Sequence, residues 1–443
     1  MKRLVASLIA LLAAQPVLAA EVRLAPGPGV LAAAVAAASP GDRLVLAPGL
    51  YDGPVVIDRP LTIQGEPGAV IDGQGKGSVL TLTAPDVTVT GLAIRHSGTN
   101  GSAIDSGVRI LKGADRARVT DNVLTDNLHG IDIHGGRDAL VSANHIIGGQ
   151  NPHMIERGNG IYVWNSPGAV VEGNDVRYGR DGIFANTSRQ DIFRNNLFRD
   201  LRFAVHYMYT HDSEISGNVS IGNHLGFAIM YSNKVVAHDN LSLGDRSHGL
   251  MLNSANDGEF YGNLVRGGAE KCTFIYDANK NLIYDNRFEG CAIGIHFTAG
   301  SARNVLTGNA FIGNQDQVKY VGTRDIEWSF QGRGNYWSDN VAFDLNGDGL
   351  ADSPYRPNDL MDHILWSQPA AGLLIGSPAV QLIRWSQSNF PATLPGGVVD
   401  SHPLMGPITI AVPPAIAAME AEVAGRWQKE QTDEPDTDAL AGH

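Results

Sequence analysis

The chain has 443 residues, 43% hydrophobic and 18% charged, with 52 glycines and only 7% aromatic residues. That balance speaks for many turns and short strands and excludes a coiled coil or wholesale disorder. A net charge of −13 argues against a nucleic-acid binder, because phosphate recognition needs clustered cations.

Met1-Lys2-Arg3, an apolar run from Leu4 to Ala14 and small residues up to Ala20 have the pattern of a cleaved secretory signal over residues 1–20. In an exported chain Cys272 and Cys291 are able to pair, although nothing in their spacing requires it. No later segment reaches the ~18 uninterrupted apolar residues of a transmembrane helix. Residues 21–43 read as an N-terminal cap, with an Ala-rich predicted helix over Val30 to Ala38 between Gly29 and Pro40.

From 44 to 321 the chain repeats. An Asn closes a short apolar run at Asn122, Asn144, Asn174, Asn196, Asn218, Asn240, Asn263, Asn286 and Asn309, at spacings of 22 or 23 residues and once of 30. A second column, mostly Gly, runs Gly107, Gly130, Gly160, Gly182, Ala204, Gly226, Gly249, Cys272 and Gly294. A fixed period near 22 with three β-like runs each predicts an all-β fold, a right-handed parallel β-helix of the pectin-lyase-like kind with one rung per repeat. The Asn column fits an internal ladder at a tight bend, where Asn tolerates the left-handed conformation.

Side chains alternate faces along a strand. Positions one and three after the Gly column, such as Val205/Tyr207 and Leu250/Leu252, therefore form the core. Positions two and four face outward and are unusually apolar, with Arg109 and Asp132 the charged exceptions. Such a strip marks a binding surface unless loops or the C-terminal segment cover it. Tyr162, Trp164, Phe184, Phe274 and Tyr276 are its candidate partner-docking residues. Rungs lie about 4.8 Å apart, so Met208 stacks on Met230, with His206 and Met251 in the adjacent column. Thioether with imidazole suits Cu(I) better than Zn, Mg or Ca, although Met and His also pack adaptably under a partner. Two rungs are lengthened, at Ser97 to Ser106 and Gly148 to Asn159. The second holds His153 and Met154, which are lip donors or part of a solvated loop.

Residues 322–363 lose the period. Asp344, Asn346, Asp348 and Asp352 match the first part of a calcium loop, but Tyr355 stands where a bidentate Glu belongs. Asp359 or Asp362 would have to complete the set, and a plain Asx-rich turn is the alternative. Residues 364–407 read as an apolar docking segment too interrupted to span a membrane, and 408–443 as a flexible acidic tail.

Several blocks carry a family resemblance: Arg246-Ser247-His248-Gly249-Leu250-Met251-Leu252-Asn253-Ser254, Tyr276-Asp277-Ala278-Asn279-Lys280-Asn281 and Arg333-Gly334-Asn335-Tyr336-Trp337-Ser338-Asp339. With Ser377 to Leu382 and Gly397 to Met405 they resemble the NosD family, the periplasmic β-helix component of nitrous oxide reductase maturation. The resemblance implies a non-enzymatic protein that sits on an ABC-type ATPase and permease of the inner membrane. It further implies receipt of copper from a lipoprotein chaperone and docking of apo nitrous oxide reductase. It assigns no copper ligand, so His206, Met208, Met230 and Met251 rest on spacing alone. The competing class is a lyase or epimerase of acidic polysaccharide, which needs paired acids or a base with cations on the same sheet. A structural adhesin is the third.

Overall fold

The computed structural model of the protein describes residues 19–298, 300–322, 324–357, 377–389 and 397–433. Each rung gives one strand to each of three parallel sheets, so sheet neighbours lie three strands apart in sequence. Sheet I runs from Glu21–Leu24 to Val305–Thr307, sheet II from Gly49–Asp52 to Tyr336–Trp337, and sheet III from Val55–Ile57 to Asp316–Val321. This is the parallel β-helix that the repeat predicts. Most strands are three residues long with the central residue buried, as in Arg118–Thr120, and those of sheet III are mostly six.

The Asn column is a continuous internal ladder that extends one rung further, to Asn335. Each Nδ2 donates to the next Oδ1 at 2.9–3.1 Å. Each also donates to a strand carbonyl, as Asn218 does to Phe193, so buried amides are satisfied without water. The left-handed residue is not the Asn but the one before it. Asp121, Asn195 and Asp239 have φ of 57°, 55° and 54° there, and Gly217 has 61°. This frees the Asn side chain to point inward. The glycine column has a steric cause, since a Cβ on Gly226 would meet the Gly249 carbonyl oxygen at 2.4 Å.

Helix α1 (Val30–Ala37) buries Leu31 and Val35 over the first rung. Part of the predicted cap is already solenoid, because Glu21–Leu24 pairs with Arg43–Leu46 in sheet I. The predicted signal lies outside the described residues except for Ala19 and Ala20. At the other end the solenoid continues past 321 to Trp337. Gly397–Val399 pairs with Asp325–Glu327, and the buried Asp400 carboxylate accepts from the Asn335 amide at 2.7 Å and Trp337 Nε1 at 2.8 Å. Thus 397–400, within the predicted docking segment, belongs to the C-terminal cap. Helix α2 (Pro378–Asn389) buries Val380 and leaves Leu382 and Trp385 63% and 61% exposed.

The flexible tail is corrected over 408–433. Helix α3 (Pro414–Asp433) lays Ile416, Met419 and Val423 on outward apolar side chains of sheet II, including Val219, Leu241 and Leu264. Glu420 pairs with Arg266 at 2.5 Å, and Arg426 with Asp200 at 3.2 Å. Burial of that apolar patch outweighs the polar composition that suggests disorder. Cys272 and Cys291 form a disulfide.

Candidate metal and docking face

The outward face of sheet III keeps strict register. One column runs Arg109, Asp132, Tyr162, Phe184, His206, Ala228, Met251, Phe274 and His296. The next carries Asn186, Met208, Met230, Asn253 and Tyr276. Met208 and Met230 are direct register partners, whereas His206 and Met251 are two rungs apart with the small Ala228 between them.

Outward does not mean exposed here. His206 and Asp132 are buried, because column neighbours and corner arginines cover them. The His206 ring packs on Phe184 at 4.9 Å and against the edge of Phe203 at 4.8 Å. Its Nδ1 lies 3.4 Å from Asp181 Oδ2, and Asp181 accepts both Arg202 donors at 2.7 and 2.6 Å. Burial pushes the Asp181 carboxyl up, but His206 and Arg202 together hold it below its usual range. His206 Nε2 is buried without a protein partner. A histidine anchored through Nδ1 by a carboxylate presents its other nitrogen as a fixed donor. Burial, reinforced by Lys319 and Lys271, lowers His296 to about 4, so that imidazole is neutral at neutral pH.

The predicted docking residues fall into two groups on either side of the His/Met rungs. Tyr162 and Phe184 stack at 5.3 Å, and Trp164 stacks on His134 at 4.3 Å. Phe274 lies 6.2 Å from Tyr276, which is 50% exposed. The insertions flank Tyr162 and Phe184 and form with them an open cavity of about 630 Å³, lined also by His129 and Arg180. Arg109 bridges the insertion to the face through the Ala103 carbonyl and Asp132. Helix α3 lies on sheet II and not on this face.

The lip donors are not brought to the face. His153 is exposed, and Met154 lines a separate cavity of about 350 Å³ with Tyr178, Asp200 and Arg246. The 148–159 loop turns Glu156, not these donors, toward the sheet III cavity. In the 344–352 loop, Asp344 accepts from the Gly347, Asp348 and Gly349 amides, and Asp352 from Leu345. The oxygens of Asn346 and Asp348 likewise bond within the loop. Asp359 and Asp362 lie outside the described residues. Among the described residues no group of three or more His, Cys, Asp or Glu is arranged to hold a metal, so the copper reading depends on thioethers. Asp181 is a site residue that the alternation does not single out; its place one residue before the Gly column, one rung before His206, is the signal the sequence carries.

The probable ABC transporter binding protein NosD of Stutzerimonas stutzeri is 41% identical over 378 residues, covering 82% of this chain and 87% of its own. The chain belongs to the NosD family. A Pseudomonas aeruginosa NosD of the same description is also 41% identical, over 376 residues, 82% of this chain and 88% of its own. The NosD family model, described as periplasmic copper-binding protein, matches residues 147–342, which include the His/Met rungs. Among solved structures, a family 28 exopolygalacturonase of Yersinia enterocolitica superposes with a TM-score of 0.52 at 12% identity, over 68% of this chain and 76% of its own. That likeness shows the shared β-helix alone. Among the described residues no helix is long and apolar enough to cross a membrane.

Proposed function

We propose that this NosD-family chain is a periplasmic, non-enzymatic accessory protein of nitrous oxide reductase maturation. It receives Cu(I) from a lipoprotein chaperone, works with an inner-membrane ABC-type ATPase/permease and delivers copper to the apo-reductase. The observation that carries the reading is His206, with Nδ1 anchored and Nε2 buried and unpartnered, beside the Met208/Met230 register pair. The family description and the relatives' names support the setting. Against catalysis, the fully buried Asp132 and Asp181 are each tied to an arginine, not poised as an acid pair. The exposed Leu382 and Trp385 of α2 are the proposed permease contact, and Tyr162, Trp164, Phe184, Phe274 and Tyr276 the reductase or chaperone contact.

Anaerobic Cu(I) titration of the soluble protein under a competing chelator tests this. Met208→Ala with Met230→Ala, and separately His206→Ala, are expected to weaken binding by at least about tenfold. Trp164→Ala with Tyr276→Ala is expected to keep Cu(I) affinity and lose reductase co-purification. Unchanged affinity in both ligand variants places the ion elsewhere.

For the 344–352 loop a structural Ca²⁺ is proposed, held by Asp344, Asn346, Asp348 and Asp352 after they release their amides. Millimolar Ca²⁺ is then expected to raise Tm by mass action, an effect absent in Asp348→Ala. No shift in the parent protein retires the ion.

A further inference from the structure

The corner between sheets II and III carries a file of basic residues, three arginines and a histidine whose charge burial disfavours, in an otherwise acidic chain. Arg180, Arg202 and His224 each precede a register-matched strand of sheet III: Asp181–Asn186, Phe203–Met208 and Leu225–Met230. Arg246 follows in the next rung, whose corner is one residue longer. With rungs about 4.8 Å apart the file is about 14 Å long. Arg157 from the 148–159 loop and Arg426 from α3 line the same 350 Å³ cavity as Arg246.

The carboxylates here offset this charge only in part: the buried Asp245, bonded to Ser220 and Ser242, acts on Arg246, and Glu270 of the following rung pairs with Lys271 at 2.9 Å. Asp181 is shared by Arg202 at 2.6 Å and Arg180 at 3.8 Å. Asp200 is shared by Arg177 at 2.6 Å and Arg426 at 3.2 Å. Glu156 bonds to Asn151, and Glu422 acts on Arg177. Burial first, then the charges of Arg246 and Arg202, keep His224 below its usual range.

We propose that this corner docks an extended acidic segment of a partner protein, beside the His/Met face. A chain of net charge −13 repels acidic partners elsewhere, so a local cationic file both attracts and orients them. The cations stand in single file, and Arg180 and Arg202 are half-buried. A narrow peptide reaches them; a planar lipid surface does not. The inference uses no metal and stands or falls apart from the copper reading.

The test is fluorescence anisotropy of a labelled decaglutamate peptide with the full soluble chain, alongside sedimentation with phosphatidylglycerol vesicles. Peptide binding is expected to weaken with salt and by about tenfold in Arg157→Gln with Arg246→Gln. Arg246→Gln alone should give part of that loss, and Arg118→Gln, on the outer face of sheet I, none. Equal affinity in parent and double variant overturns the proposal. So does binding of vesicles, lost in the double variant, without binding of the peptide.

Discussion

Asn218→Ala is expected to destabilise the solenoid by about 3–5 kcal/mol, because it leaves buried groups unpaired as well as removing bonds. Asn218 Oδ1 accepts from both the backbone amide and Nδ2 of Asn196, and its Nδ2 donates to Asn240 and to the Phe193 carbonyl. After truncation the buried Asn196 amide loses that acceptor. A second amide contact, Asn256 Nδ2 to Asn233 at 3.1 Å, is exposed. Asn256 Oδ1 also accepts from the Asn279 amide at 3.0 Å, but the site is only partly buried and water reaches the vacated groups, so Asn256→Ala should cost about 1 kcal/mol. Guanidinium unfolding followed by far-UV circular dichroism compares the two midpoints. Similar shifts in both variants would show that the internal ladder is not what holds the rungs together.

The ladder and the core alternation were legible because each is periodic. Val205, Tyr207, Leu250 and Leu252 are buried where the alternation places them, and the Asn spacing alone locates the bend. What the pattern concealed depends on contacts between distant segments. Val219, Leu241 and Leu264, apolar and outward on sheet II, carry no signal of their own in the sheet III alternation. They are the complement of Ile416, Met419 and Val423 on α3, and that match, visible only when both are aligned, converts an acidic tail into a packed helix. Alternation also gives direction without burial. Asp132 and His206 point outward but are covered by side chains from adjacent rungs and turns, and turn residues such as Arg180 and Arg202, or the strand-opening Asp181, have no period-two signal. Gly397 to Asp400 looked merely apolar because its role is to close an end whose bonding groups lie at Asn335 and Trp337.

Asp245→Asn is expected to stabilise the protein at pH 8 by roughly 3 kcal/mol and by almost nothing at pH 4. Asp245 is buried among Ser220, Ser242 and the Asn223 amide. Burial pushes its carboxyl up to about 6, and the hydrogen bonds to the serines and the amide only partly oppose this. Unfolded, the same group has a pKa near 3.9. The folded state therefore favours the proton, and the stability this contributes is complete below the unfolded pKa. It is lost as pH rises through 6. Asp191, driven by burial to about 7, adds a second loss of the same sign at slightly higher pH. The asparagine keeps an acceptor for the Asn223 amide, offers its NH₂ to the serine oxygens and carries no charge to desolvate. One rung earlier Asn223 already occupies the equivalent corner, with its Nδ2 on the Phe198 carbonyl, so the amide fits the turn. The variant's denaturant midpoint should exceed the parent's by almost nothing at pH 4 and by the full amount at pH 8, while Asp191 and the partly buried His129 and His296 shape both profiles alike. Parallel profiles would mean that Asp245 is not the group whose ionisation opposes folding.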